Sequence, residues 1–258
     1  MRLFTFDTLR DYFIAAAIAV AIALLIRSYV VEAYRIPSAS MKPTLLPGDV
    51  IFVAKWPYRL ANNHVPERGD VVVFSDSSNL DFIRRVIGLP GDQVAVKKGH
   101  IWINGKELAT TPANPGTSTS PLSNVKTTHP KNLKKLKNPP KAEPDFKNSI
   151  SSCYNEQLPQ GKAYEICTSS FLREDFGPET VQKDSVFVVV DYRFEPPAQR
   201  TQLQNILEKR KDWDMVPLDA VKGKAMWIWL SIDPYQEFGT PTHWLPKFRF
   251  QRMFKEVR

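Results

Sequence analysis

Two serines, Ser38 and Ser40, stand in the stretch Ile36-Pro37-Ser38-Ala39-Ser40-Met41-Lys42-Pro43-Thr44-Leu45-Leu46-Pro47-Gly48-Asp49. Prolines on both sides remove backbone donors that a helix needs. The stretch therefore reads as a rigid loop that presents a hydroxyl. Such a hydroxyl could attack a peptide carbonyl, but serine is a weak nucleophile at neutral pH and needs an adjacent base. A lysine serves only where burial lowers its pKa toward the working range. A histidine is suited without that help. Lys42, Lys55 and His64 are candidates, and the plain reading of each is a solvated surface group, as for most Lys and loop His.

The elements that must position this loop begin just before it. Every residue from Tyr12 to Ile26 is apolar or aromatic; Arg27 interrupts, and Tyr29, Val30 and Val31 continue. This run falls short of the ~20 residues a spanning helix needs. Arg27 can snorkel to the interface, which makes a transmembrane anchor over 11–31 credible. Arg2 and Arg10 precede the span and favour a cytoplasmic N-terminus. The competing reading is a cleavable signal peptide, but the Ala15-Ala16-Ala17 step lies inside the apolar run, not after it. With an anchor, a hydroxyl at position 40 would work close to the bilayer, on its outer side.

Beyond the loop, 50–54, 71–74, 82–87, 93–96 and 100–103 are short runs of Val, Ile and aromatics between Pro, Gly and Asp turns. Asn104-Gly105 is a strong hairpin turn. The pattern predicts a mainly β protein, an antiparallel sheet or barrel with an N-terminal transmembrane helix. Residues 109 to about 150 carry seven prolines among lysines and read as an inserted loop-like region. β pattern returns at 185–190 and 225–232, and Leu203, Ile206 and Leu207 give 202–211 helical spacing. The resulting division is a cytoplasmic 1–10, an anchor 11–31, a β domain from 32–108 and 181–258, and an insertion 109–180.

Composition excludes more than it assigns. The 258 residues are 43% hydrophobic and 24% charged, which is ordinary for a globular protein. The net charge of +8 reads first as a solubilising surface and second as attraction to anionic lipid. Nucleic acid is not an expected partner, because no recognition helix or aromatic-basic interleaving stands out. No metal cluster, phosphate loop or nucleotide fingerprint is visible, so no cofactor and no metal are expected. Cys153 and Cys167 lack Cys-x-x-Cys spacing. They form a disulfide if the domain lies outside the cytoplasm and stay thiols if it lies inside.

The loop and five later stretches resemble, in order, the conserved boxes of type I signal peptidases. After the serine loop come Val50 to Lys55, Arg68-Gly69-Asp70 to Phe74, and Arg84-Arg85-Val86-Ile87-Gly88-Leu89-Pro90-Gly91-Asp92. Then follow Gly99 to Gly105, and Val216-Pro217 through Gly223-Lys224-Ala225 to Asp233. The resemblance covers roughly 10–108 and 181–235. It implies a Ser/Lys endopeptidase that removes signal peptides from exported preproteins at the outer face of the cell membrane. It implies Ser40 as nucleophile and Ser38 as an oxyanion-hole donor, a role worth ~3 kcal/mol in the transition state. Tyr34, Ile36, Ile51, Val73, Phe82 and Ile83 match the apolar lining of the substrate cleft. The expected partners are exported preproteins and the lipid bilayer.

The chain departs from that family at the base. The turn Gly88-Leu89-Pro90-Gly91-Asp92 sets the register and places Arg84 where the family has its lysine. Arginine holds its proton too tightly to act as a general base. The last family box is also changed. Val190-Asp191-Tyr192-Arg193 continues to Arg200 with Pro196 at the position of the serine that orients the lysine, and with Ala198 where an aspartate pairs with the final arginine. The sequence leaves two readings of one fold: a peptidase of strongly reduced activity, or an inactive homologue that binds signal peptides or a membrane partner. A third reading, an anchored β scaffold with a coincidental serine loop, is opposed by the order of the boxes.

Overall fold

The computed structural model describes residues 6–56, 58, 64–98, 100–113, 152–168, 175–193, 212–233 and 248–258. One helix, α1 (Phe6–Tyr29), precedes sixteen strands among the described residues. They are β1 (Val31–Arg35), β2 (Asp49–Ala54), β3 (Val71–Ser75), β4 (Asp81–Gly88), β5 (Gln93–Lys97), β6 (His100–Ile103), β7 (Lys106–Glu107) and β8 (Thr110–Pro112). The rest are β9 (Ser152–Gln157), β10 (Ala163–Thr168), β11 (Phe176–Thr180), β12 (Ser185–Val189), β13 (Tyr192–Arg193), β14 (Trp213–Pro217), β15 (Val221–Ser231) and β16 (Lys255–Glu256).

The main sheet runs β1-β2-β15-β3-β4-β12-β14, with β16 also on β15. All of its pairings are antiparallel. Two smaller sheets run β13-β10-β9-β8 and β11-β5-β6-β7. The sequence therefore gives the mainly β, antiparallel class correctly, because β-branched runs between Gly and Asp turns have few other outlets. The turn after β4 illustrates this. Gly91 sits at φ +88°, and the Asp92 carboxylate accepts from the amide of Leu89 at 2.7 Å and from Arg68 Nη2 at 2.8 Å. A Cβ on Gly88 would meet Val94 at 2.7 Å and Phe187 at 2.8 Å, so β4 leaves the sheet only with glycine there.

Alternation along β3 and β4 divides the core into two faces. Val71, Val73 and Ile83 lie with Ile36, Met41, Leu45, Ile51, Val53, Ala225, Ile228 and Val257. Val72, Phe74, Phe82 and Val86 lie on the other face with Val186, Val188 and Val216. A third cluster joins β4, β5, β6 and β12 to β10 through Ile87, Val94, Ile101, Phe187 and Ile166.

The N-terminal element differs from the expected anchor. Among the described residues no helix is long and apolar enough to cross a membrane. The apolar run is shorter than α1 itself, which carries Asp7, Arg10 and Asp11 early and Arg27 late. Val31 is not in the helix: it begins β1 and pairs with Ala54. The expected helix at 202–211 and the proline-rich stretch 114–151 lie outside the described residues. At the far end of that 109–180 region, β9 and β10 form a hairpin in which Cys153 and Cys167 are directly paired and disulfide-bonded.

Candidate active site

Ser38 and Ser40 stand on the loop between β1 and β2. The loop is closed at its base, where Ile36 N donates to Asp49 O at 2.8 Å and Gly48 N to Ile36 O at 2.9 Å. Within it, Leu45 N donates to Met41 O at 2.8 Å. Met41 and Leu45 are buried at 1% and 0% exposure. Two apolar anchors and a closed base thus hold a polar tip outward. At that tip the Ser38 and Ser40 hydroxyl oxygens are 3.2 Å apart. Ser38 is exposed and Ser40 half-buried. The two serines singled out in the sequence thus have their hydroxyls side by side.

The loop is fastened to β13. Tyr192 N donates to Ser40 O at 3.0 Å. Thr44 Oγ1 donates to Asp191 Oδ2 at 2.6 Å. Asp191, 0% exposed, also accepts from Arg85 Nε at 2.8 Å and Nη2 at 2.6 Å. Arg85 stacks over the ring of Tyr164, 4.4 Å from its centroid. Tyr164 donates to Glu156 Oε2, and Glu156 takes two 2.8 Å bonds from Arg193. Burial, the largest influence on each charge here, opposes ionisation. The opposite charges outweigh it, so the Arg85 and Arg193 pKa values move up and that of Glu156 moves down. Burial first, and Glu156 next, push the Tyr164 phenol well up. These groups form a fixed ionic frame under the loop. Sequence reading missed Glu156 and Tyr164, which sit in the 109–180 insertion beyond its proline-rich, loop-like part; their β-type neighbours Tyr154, Ile166 and Val181 were the available signal.

Arg84 lies next to Arg85 on β4 but faces the other way. Its register partner is Val72, and its guanidinium is 5.9 Å from the centroid of Phe82. Nη1 donates to Ile83 O at 3.0 Å. Burial draws its pKa down to about 10, against the pull of Asp212 and Asp214. It therefore keeps its proton at neutral pH, a buried cation beside Phe82.

The other candidate bases have partners elsewhere. Lys42 Nζ lies 6.0 Å over the ring of Tyr192. Lys55 Nζ pairs with Glu32 Oε2 at 3.2 Å. His64 meets the edge of Tyr58 with centroids 5.0 Å apart. Of the six residues expected to line a cleft, Tyr34, Ile36, Ile51, Val73 and Ile83 gather in one cluster with Met41 and Leu45 of the serine loop. Phe82 is on the opposite face, beside Arg84. Val190 and Asp191 are buried at 3% and 0%, whereas Pro196, Ala198 and Arg200 lie outside the described residues. Ligand atoms of Cys153, Glu165 and Cys167 lie within 4.8 Å of one another, but both sulfurs are committed to the disulfide and offer no thiolate to a metal.

Comparison with known proteins bears on this arrangement. The family model described as signal peptidase, peptidase S26, matches residues 9–230. A signal peptidase I of Rickettsia felis is 30% identical over 237 residues, 83% of this chain and 77% of that protein. The signal peptidase I of Buchnera aphidicola subsp. Baizongia pistaciae is 29% identical over 245 residues, 82% of this chain and 73% of that protein. A probable signal peptidase I-2 of Synechocystis is 46% identical over 97 residues, 35% of this chain and 43% of that protein. The crystal structure of a signal peptidase I from Enterococcus faecalis covers 62% of this chain and 95% of its own, at 20% identity and a TM-score of 0.27.

Proposed function

The chain belongs to the signal peptidase family, peptidase S26, and from that premise we propose that it engages the signal peptides of exported preproteins at a membrane surface and cleaves them poorly. Ser40 is the attacking hydroxyl and Ser38 the donor to the oxyanion. Tyr34, Ile36, Ile51, Val73 and Ile83, gathered in one cluster with the serine loop, line the cleft. The observation that carries the reading is the pairing of the Ser38 and Ser40 hydroxyls at 3.2 Å on an anchored loop; the sequence register supplies Arg84 where the family has its lysine. Attack needs a group that takes the Ser40 proton. A guanidinium with a pKa near 10 is neutral in about one molecule in 10³ at pH 7. Loss of a catalytic partner in comparable serine hydrolases costs ~10⁴ or more.

The same Arg84 favours a second reading, a homologue that binds signal peptides or a membrane partner without cutting them. Preprotein cleavage by the detergent-solubilised full chain decides between them, run beside Ser40→Ala and Arg84→Lys. The reduced peptidase gives slow cleavage that Ser40→Ala abolishes. If Arg84 supplies the base, that cleavage rises about tenfold per pH unit toward pH 10. Cleavage that survives Ser40→Ala sinks the assignment of the nucleophile. An inert parent that still binds a signal peptide favours the second reading.

Membrane attachment belongs to the same proposal. The side chains of Tyr12, Phe13, Ile14, Ile18, Val20, Ile22 and Leu24 on α1 are exposed, between 51% and 73%. Lipid would cover them, with the β domain on the outer side, where a disulfide persists. Flotation of the full chain with vesicles, lost when residues 1–29 are removed, is the expected result.

A further inference from the structure

The segment after Asp233 played no part in the sequence reading of the site, yet its described part, residues 248–258, grips the serine loop through Arg249, Arg252 and Val257 and meets Arg85 beneath it through Arg258. Arg249 Nη1 donates to Pro47 O at 3.0 Å. Arg252 Nη2 donates to Thr44 O at 2.9 Å and to Asp49 Oδ2 at 2.6 Å. Val257, 7% exposed, packs in the cluster that holds Met41 and Leu45. Arg258 O accepts from Arg85 Nη2 at 3.1 Å, the nitrogen that also donates to Thr44 Oγ1 at 3.0 Å.

We propose that this segment is a clamp for the serine loop and that Arg252 is its principal positioning residue. Asp49 closes the base of the loop and is fully buried. Its carboxylate accepts from Leu46 N at 2.8 Å and from Ser231 Oγ at 2.5 Å. Arg252, itself part-buried, supplies the countercharge to this buried carboxylate and, through the same nitrogen, fixes the carbonyl of Thr44, four residues from Ser40. A planar guanidinium can span two such acceptors; an ammonium is a point charge and cannot hold the same geometry. The segment itself is held in place by the main sheet. Phe254 N donates to Ile228 O at 2.6 Å and Val257 N to Met226 O at 2.8 Å, with β16 paired to β15 between them. A rigid sheet thus sets the height of the loop, and displacement of a reacting group by ~1 Å can cost about 10² in rate.

The proposal rests on Ser40 being the reactive hydroxyl, so its test has one arm that does not need catalysis. The full chain is compared with Arg252→Gln, Arg252→Lys and Arg249→Gln, with Lys162→Gln at the exposed Glu67 pair as a remote control. Amide exchange is followed across 36–49 and across β4 and β12. The clamp predicts at least tenfold faster exchange at Leu45, Leu46 and Asp49 in Arg252→Gln, partial recovery in Arg252→Lys, a smaller effect in Arg249→Gln, and unchanged β4 and β12. Equal loosening of all strands, or an unchanged loop, overturns it. If Arg252→Gln does not fold, Arg249→Gln decides by whether exchange accelerates in 41–49 alone. Where cleavage is measurable, the clamp lowers kcat with KM held. Cleavage by the parent that Ser40→Ala leaves unchanged refutes the reading of Ser40, and there, as with an inert parent, the exchange arm judges the clamp.

Discussion

The amide of Tyr192 donates to the carbonyl of Ser40 at 3.0 Å, so the candidate nucleophile is tied by its own backbone to the strand that carries Arg193 and directly follows Asp191. One residue away, Cys167 N donates to Asp191 O at 3.1 Å. Two backbone bonds therefore connect the disulfide hairpin, β13 and the serine loop. Side chains repeat the connection through Thr44, Asp191, Arg85, Tyr164, Glu156 and Arg193.

The first test of that frame is the Arg85–Asp191 pair, exposed only 1% and 0%. Asp191→Leu leaves a guanidinium buried beside an apolar side chain. Removal of one partner of a buried pair costs about 3–5 kcal/mol. The double variant Arg85→Met/Asp191→Leu should recover much of that loss, because no charge is then stranded. Urea midpoints of the four proteins check this; equal losses in single and double variants would show that the pair does not act as a unit.

How much of this was legible follows from which interactions are local. Turn residues and β-branched runs gave β2, β3, β4, β5, β6, β12 and β15 within a few residues, because each strand's pattern is written in its own four to eleven positions. The serine loop was legible for the same reason: Pro37, Pro43 and Pro47 restrict the backbone where they stand. The frame beneath it was not. Glu156 and Arg193 meet across 37 residues, and Thr44 and Asp191 across 147, and a charged residue in sequence looks like surface until its partner is placed. β9 and β10 were hidden for a related reason, since the prolines before them dominated the composition of the region. Phe82 and Ile83 were separated by strand geometry, which a family pattern does not carry: neighbours on one strand point to opposite faces, and only Ile83 joins the cluster under the serine loop.

Arg84 carries a stability cost with a definite sign. Its pKa is lowered in the folded state, first by burial, to about 10. Between that value and the ordinary one, the unfolded chain holds a proton that the folded chain has released. Stability therefore rises as pH climbs above 10, and the full cost is present at neutral pH. At ~1.4 kcal/mol per pKa unit the cost is roughly 3 kcal/mol. Arg84→Met should raise the melting temperature at pH 7, by less than that figure suggests because Asp212 and Asp214 lose a countercharge. A lower melting temperature would mean that the aspartates more than repay the burial.

Glu156 has the opposite sign. Burial alone would raise its pKa, but the charge and two hydrogen bonds of Arg193 and the bond from Tyr164 leave it lowered. A carboxylate of this kind stabilises the fold above its unfolded pKa, and the contribution disappears as pH falls through the folded value. Glu156→Gln should therefore destabilise at pH 7, by about 3–5 kcal/mol, because Arg193 is left buried without its charge partner. The difference from the parent should shrink as the medium is taken below pH 4. Thermal melts of both proteins between pH 3 and 7 measure the two slopes, and parallel curves would remove Glu156 from the acid response.

The Cys153–Cys167 bond closes a loop of 14 residues by sequence separation. A constraint of that length limits the unfolded chain and contributes about 3 kcal/mol in the chain-entropy model. The hairpin also carries Glu156 and Tyr164, so loosening it is felt at Asp191 and through Tyr192 at Ser40. The paired variant Cys153→Ser/Cys167→Ser should lose about 2–4 kcal/mol. Its amides at Cys167 and Tyr192 should exchange faster than those of β3, which touches neither. Reduction of the parent should reproduce both effects. Loss of stability spread evenly over the main sheet, with Tyr192 no faster than β3, would show that the hairpin stabilises the molecule without holding the serine loop.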